Sequence, residues 1–187
     1  MIEMSSTPKI VAVLVLGVLM VWFGSLAQRP LKGGPLRIVW LELAPTVASA
    51  NAFLDAWRDF RFPSNDTFKG DWKTRLQTAQ AWDTWLICFY APLFALLCWL
   101  AAARFAPVIP MVAVVGRALA GAQLLAGALD FLENAAMNKM IEREMAQTPW
   151  PLISATASGI KWLLILAFLA YGAGAAIHWL VVPASRS

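Results

Sequence analysis

The sequence predicts an all-α protein: a four-helix transmembrane bundle with an amphipathic extramembrane helix between helices one and two. Of the 187 residues, 60% are hydrophobic and 14% are charged, whereas an ordinary soluble domain has roughly 25% charged residues. Four stretches are long and apolar enough to cross a hydrocarbon core of about 30 Å, which takes roughly 20 helical residues. They cover about residues 10–27, 82–103, 108–140 and 152–182 of a single membrane domain, 1–187, whose extramembrane segment is 29–81.

Helix one follows a short polar tail and has two interpretations. A charged start, about 14 apolar residues and an ending of small residues also describe a cleavable signal peptide. The tail has one basic residue, Lys9, beside the acidic Glu3, and the apolar run is long for a signal peptide. We therefore expect residues 1–27 to be retained as a membrane helix.

The segment 29–81 is too small to have a separate core. From Ala48 to Arg61 it is predicted to form an amphipathic helix that lies on the membrane or caps the bundle, without a ligand in the simplest interpretation. Its apolar positions recur at helical spacing. They are Ala50, Phe53, Leu54, Trp57 and Phe60. Asp71 has the position of an N-cap, so the second membrane helix is predicted to begin there and to enter lipid near Trp82.

Helices three and four each have a stripe of small and polar residues at spacings of about three and four, as close-packed membrane helices require. On helix three the stripe is Gly116, Ala120, Gln123, Gly127, Asp130, Asn134 and Met137. On helix four it is Ser154, Ser158, Lys161, Ile165, Phe168, Gly172, Ala175 and Trp179. The polar residues of both stripes are therefore expected to face protein rather than lipid.

Six polar residues are predicted to converge within the membrane near the face that has the 29–81 loop. Counted at 1.5 Å per residue from the predicted membrane edge, Asp130 lies about 12 Å deep and Lys161 roughly 14 Å deep, and Asp83 is shallower. We call this set the polar layer: Asp83, Tyr90, Asp130, Glu133, Asn134 and Lys161. Ionisable groups at such depth are costly, which makes the layer the predicted binding site.

The same residues also have a purely structural interpretation. Asp130 and Lys161 would then be an ion pair that locks helices three and four, Asn134 an interhelical hydrogen bond and Tyr90 an interface aromatic. A third alternative is that the helix register is wrong. The sequence does not decide between a structural layer, a ligand site and a register error.

Several conventional sites are disfavoured, and no catalytic residue or cofactor is assigned. The single histidine, His178, lies near the opposite face from the acids, which argues against a Ser-His-Asp set, bis-histidine haem and di-iron pairs. Cys88 and Cys98 are about 15 Å apart on one helix, so they cannot bridge. Asp130 and Glu133 have a spacing that can share a divalent cation, but the nearby Lys161 argues against a metal. Neither a phosphate-binding loop nor a nucleic-acid-binding element is present.

A family resemblance rests on four short motifs. They are Leu41-Glu-Leu-Ala44, Asp83 with Tyr90 seven residues on, Asp130-Phe-Leu-Glu133-Asn134 and Lys161-Trp162. With them the chain resembles a family of small bacterial four-helix integral membrane proteins of uncharacterised function, over most of the sequence beyond residue 37. The resemblance implies the fold and no activity. The expected location of the protein is the bacterial inner membrane.

Three functional classes follow. The first is a multi-pass membrane protein whose polar layer helps to bind, transport or assemble around a lipid or small amphiphile. The second is an intramembrane enzyme that acts on a lipid-soluble substrate with Asp130 or Glu133 as acid or base. The third is a structural subunit that contacts a membrane protein partner. The expected partners are therefore the lipid bilayer, a lipid or small amphiphile and a membrane protein, and not nucleic acid.

Overall fold

The computed structural model describes residues 6–63 and 66–181, which form helices and connecting loops and contain no strand. Six helices follow one another in these ranges. They are α1 (Ser6–Gln28), α2 (Val39–Glu42), α3 (Val47–Asp59), α4 (Trp72–Phe105), α5 (Pro110–Arg143) and α6 (Trp150–Val181). Four of them, α1, α4, α5 and α6, are long and apolar enough to cross a membrane. The predicted fold class is therefore confirmed.

The four long helices are not equivalent. Helix α5 lies between α4 and α6 and packs against both, whereas α1 packs on α4. The ring of Phe23 on α1 stacks on Phe89 of α4, with 5.0 Å between the ring centroids. Only 6% of the most apolar stretch of α1 is buried inside the protein. The bundle is thus a three-helix core with α1 on its outer side.

The predicted stripe of α5 is its packing face, because all seven of its residues are buried. At Gly127 the helices approach so closely that an added Cβ would lie 2.7 Å from the Cβ of Ala91 on α4. On α6 the stripe is buried at Ser154, Ser158, Lys161 and Phe168, and partly buried at Ile165, Gly172 and Ala175. The side chain of Trp179 lies outside the described residues.

Helix α3 covers one end of the bundle, as predicted. Thr46 and Ser49 form a capping box at its start, and its buried face is Ala50, Phe53, Leu54 and Trp57. This face forms one core with Leu76 of α4 and with Met137, Met140 and Ile141 of α5. The segment 29–81 therefore shares a core with the bundle. The helix ends at Asp59 rather than Arg61, because Phe60 adopts an extended backbone conformation.

Helix α4 begins at Trp72, where the Asp71 side chain accepts a hydrogen bond of 2.8 Å from the Thr74 backbone N–H, which confirms the predicted N-cap. The next turn contains a buried arginine that the sequence analysis did not single out. Arg75 is 2% exposed and forms an ion pair of 3.0 Å with Asp66. Its guanidinium also donates hydrogen bonds to the carbonyls of Pro30, Phe68 and Gly70. One side chain thus fixes two parts of the loop to the bundle.

Candidate functional site

The structure brings all six predicted residues of the polar layer together, from three helices. Lys161 of α6 lies at its centre, and its Nζ is 2.8 Å from Asp130 Oδ1 and 2.8 Å from Glu133 Oε2 on α5. The other oxygen of Asp130, Oδ2, accepts a hydrogen bond of 2.6 Å from the hydroxyl of Tyr90 on α4. Both oxygens of Asp130 are therefore engaged.

The remaining two residues join α4 to α5 at the edge of this network. The Asn134 amide donates a hydrogen bond of 2.7 Å to Asp83 Oδ2. Asp130, Glu133 and Asn134 share one face of α5 because residues three and four apart are neighbours on a helix. The helical spacing recognised in the sequence therefore accounts for the α5 side of the layer.

Four side chains of the polar layer are almost completely buried. Glu133 is 1% exposed, Asn134 is 3% exposed, and Asp130 and Lys161 are each 5% exposed. The Glu133–Lys161 contact is short but lacks hydrogen-bond alignment, and Glu133 Oε1 and Asn134 Oδ1 have no hydrogen-bond partner among the described residues. Breaking a buried ion pair from one side costs several kcal/mol, so the layer contributes to the stability of the fold whatever else it does.

A further acid, Glu42 at the end of α2, adjoins the polar layer. It belongs to the Leu41-Glu-Leu-Ala44 motif but was not among the predicted site residues. Its Oε2 is 3.9 Å from Lys161 Nζ, and its backbone carbonyl accepts a hydrogen bond from the Ser154 hydroxyl. Burial raises the pKa of Glu42, and the ammonium of Lys161 opposes that rise. The available signal was an acidic residue inside the apolar run from Ile38 to Ala44.

Glu42 also lines a half-open pocket of about 1010 Å³ at the end of α1. Three exposed basic residues line the same pocket, and Trp162 of α6 forms part of its wall. We call it the basic pocket, defined by Arg29, Lys32, Arg37, Glu42 and Trp162. It combines three positive charges with one carboxyl group that leads to the polar layer.

An apolar groove continues from the basic pocket along α1. One cavity of about 520 Å³ follows α1 from Val13 to Ser25, and Ser25 also lines the basic pocket. A second cavity, of about 830 Å³, shares Val13 and Leu14 and lies against α4 and α6, where Leu97 and Ala175 contribute to its wall. All the residues that line the first of these cavities belong to α1, so this part of the groove is a shallow strip on the outer side of that helix.

Metal binding finds no support within residues 6–63 and 66–181. No group of three or more His, Cys, Asp or Glu residues there has an arrangement that could hold a metal ion. The i, i+3 pair of Asp130 and Glu133 directs one oxygen each at Lys161, so the ammonium occupies the place that a cation would take.

These features define a class of protein. Four apolar helices are compatible with a multi-pass membrane protein, and this one has a buried charged layer and a basic pocket at one end. No protein-family model, curated protein or solved structure matches the chain. The assignment of a function therefore depends on the geometry of the site.

Proposed function

We propose that the protein binds a lipid or similar amphiphile, with the phosphate of its headgroup in the basic pocket and an acyl chain along the groove of α1. The observation that carries this proposal is the convergence of three exposed basic side chains and an apolar groove on one pocket. Arg29, Lys32 and Arg37 supply donors for a phosphate, and each basic residue near an anionic headgroup contributes about 1 kcal/mol.

The dimensions of the groove fit half a bilayer. From Ser25 to Val13 the groove follows twelve residue steps of α1, which is about 18 Å of helix at 1.5 Å per residue. Half of a hydrocarbon core is about 15 Å. An acyl chain that begins beside the basic pocket would therefore extend to the middle of the membrane against Val21, Val18 and Val13.

In this proposal the polar layer is not itself the binding site that the sequence predicted. It supports the pocket in which the ligand binds. Its acids and its lysine contact one another, and their burial leaves them little access to a ligand. The layer holds α4, α5 and α6 together beneath the pocket. Glu42 is the group through which a bound headgroup would reach it.

The experiment compares two triple variants that remove the same charge. The first is Arg29→Gln, Lys32→Gln and Arg37→Gln in the basic pocket. The matched control is Arg61→Gln, Lys69→Gln and Lys139→Gln, which are exposed and lie outside the pocket. Retention of phosphatidylglycerol by the purified protein is measured by native mass spectrometry, with thermal melting in detergent as the check on folding.

We expect the pocket variant to retain phosphatidylglycerol about tenfold less than the wild type or worse, because three charges act on one headgroup. The control variant should stay within about twofold of the wild type, since distant exposed charges are screened. Equal losses in the two variants, or no loss in the first, would contradict the proposal.

A second candidate function, intramembrane catalysis, is favoured by one observation: Glu133 Oε1 has no hydrogen-bond partner in the described part of the chain. Asp130 has both oxygens engaged, so Glu133 is the better candidate for an acid or base.

An enzyme leaves accumulated substrate when its base is removed. Untargeted lipid analysis of cells that carry Glu133→Gln in place of the wild type would show such accumulation, and an unchanged lipid profile would argue against catalysis.

The location that goes with this function is the bacterial inner membrane. Its support is the sequence resemblance to small bacterial membrane proteins together with the four apolar helices. Separation of inner and outer membranes on a density gradient, with the protein detected by an epitope tag, tests it.

A further inference from the structure

Within the polar layer and its neighbour Glu42, carboxyl groups outnumber basic side chains by four to one among the described residues. Four carboxyl groups, those of Glu42, Asp83, Asp130 and Glu133, lie in or beside the layer. Lys161 is the basic side chain that forms ion pairs with three of them, and Asp83 has no ion pair within residues 6–63 and 66–181. Buried carboxylates require compensating positive charge or a proton.

Two acceptors inside the polar layer are also unpartnered. Glu133 Oε1 and Asn134 Oδ1 lack hydrogen-bond donors among the described residues, although their side chains are 1% and 3% exposed. Buried polar atoms are normally hydrogen-bonded, because an unpaired one has lost its bonds to water without replacement. Neither residue lines the basic pocket, which leaves Glu42 as the acid of this region that a ligand in the pocket can contact.

Glu42 is the carboxyl group that a ligand in the basic pocket can reach. Its side chain is 14% exposed and lines the pocket, whereas the side chain of Glu133, behind Lys161, is 1% exposed. The pocket therefore presents two kinds of charge to one ligand: the cations of Arg29, Lys32 and Arg37, and the carboxyl group of Glu42. Burial raises the pKa of Glu42 and so disfavours its ionised form. A cation beside the carboxyl group would oppose this effect.

We propose that the ligand of the basic pocket is a phospholipid with a primary ammonium group on its phosphate ester, held by its phosphate at the three basic residues and by its ammonium at Glu42. This inference rests on the proposed function and specifies its ligand class. A primary ammonium has three N–H donors and forms charge-assisted hydrogen bonds with a carboxylate. A quaternary ammonium has no N–H, and a glycerol headgroup has no positive charge.

Three lipids with identical acyl chains separate these chemistries: phosphatidylethanolamine, phosphatidylcholine and phosphatidylglycerol. The full-length protein in detergent is exposed to an equimolar mixture, and the retained lipids are counted by native mass spectrometry. We expect the wild type to retain phosphatidylethanolamine about tenfold over phosphatidylcholine, because a hydrogen bond to a charged group contributes about 1.5–3 kcal/mol. Equal retention of these two lipids would overturn the inference without any variant.

The variant Glu42→Gln tests the residue itself. It should lower the ratio of phosphatidylethanolamine to phosphatidylglycerol about tenfold, since the carboxylate is lost and the three cations remain. The matched control is Glu142→Gln, whose side chain is 50% exposed and lies outside the pocket, and it should leave the ratio unchanged. If Glu42→Gln fails to fold, Glu42→Asp keeps the charge and shortens its reach, and an intermediate ratio is expected.

The outcomes separate this inference from the proposed function. If the wild type retains phospholipids through the three basic residues but Glu42→Gln leaves the ratio of phosphatidylethanolamine to phosphatidylglycerol unchanged, the inference is wrong and the proposed function stands. If none of the three lipids is retained better by the wild type than by the pocket triple variant, both are wrong.

Discussion

Lys161 is the residue on which the polar layer depends, because among the described residues it is the cation that contacts Asp130, Glu133 and Glu42. A buried ammonium and buried carboxylates stabilise one another, and removing one of them leaves an unpaired buried charge that destabilises the fold. The layer is therefore expected to respond to mutation as one electrostatic unit rather than as independent residues.

Replacing Lys161 by Met should lower the free energy of unfolding by about 3 kcal/mol, because it leaves two carboxyl groups buried without their partner. The double variant Lys161→Met, Asp130→Asn should recover at least about 1 kcal/mol of this loss, since it also removes one of the excess charges. Chemical denaturation in detergent micelles measures both quantities.

The control for this cycle is Lys139→Met, which breaks an ion pair with Glu142 whose two side chains are each 50% exposed. Such surface pairs contribute about 0–1 kcal/mol, so little change is expected. Strictly additive effects of Lys161→Met and Asp130→Asn would show that the two residues do not couple.

At the scale of the element, helix α5 determines how closely the bundle packs. Its stripe of small residues allows α4 to approach at Gly127, and the same face brings in the acids of the polar layer. Close packing and the position of the charged groups are therefore properties of one helix face.

Gly127→Ala should destabilise the protein by about 1–3 kcal/mol, because the new Cβ would lie 2.7 Å from Ala91 Cβ and the two helices must separate. Gly121 on the same helix has nothing within 4 Å of an added Cβ. Gly121→Ala should therefore be neutral or stabilise by up to about 1 kcal/mol through helix propensity. Thermal melting that moves in the same direction for both variants would refute the close approach at Gly127.

At the scale of the whole molecule, the loop of residues 29–71 is fixed to the bundle by Arg75. The guanidinium joins three backbone carbonyls and Asp66, and it lies 3.7 Å from the ring centroid of Phe62. Lysine cannot reproduce this planar set of donors. The basic pocket belongs to the same loop, so its shape depends on this anchor.

Arg75→Lys should cost about 2 kcal/mol of stability, because at least two hydrogen bonds of the planar guanidinium are lost. It should also increase the rate at which trypsin cleaves at Arg37 or Lys32, since the loop then opens more often. Arg61→Lys, at an exposed position of the same loop, is the control and should change neither quantity. Equal protease resistance of Arg75→Lys and wild type would argue against the anchor.

The same anchor predicts a dependence of stability on pH. The backbone N–H of Phe68 and, less strongly, the guanidinium of Arg75 lower the pKa of Asp66 below its ordinary value of 3.8. Because the folded protein favours the ionised form, this contribution is fully present above the unfolded value and is lost as pH falls through the lower folded value.

We therefore expect the melting temperature of the wild type to fall more steeply than that of Asp66→Asn between about pH 4 and pH 2. The variant should already be less stable at neutral pH. Parallel melting curves for the two proteins over that range would show that the Asp66 carboxylate does not contribute.

The length of the apolar runs was sufficient to predict the four long helices, and helical spacing predicted the stripe that is buried on α5 and buried or partly buried over the described residues of α6. The meeting of the six polar residues required, in addition, their depths counted from the membrane edges. Glu42 and Arg75 could not be predicted in this way. Glu42 meets Lys161 across more than a hundred residues of chain, and the Arg75 contacts depend on the path of a loop that has no periodic pattern.

The division of charge between α5 and α6 has a consequence for biosynthesis. Asp130 and Glu133 are synthesised before Lys161, so α5 leaves the ribosome with two acids and without their cation. An acid at the centre of a lone helix costs about 2.5–3.5 kcal/mol on insertion into lipid. Stable integration of α5 should therefore depend on α6. A cysteine placed at the exposed Leu132 of α5 should be labelled by a water-soluble maleimide more readily in a released chain that ends after Arg143 than in one that ends after Val181.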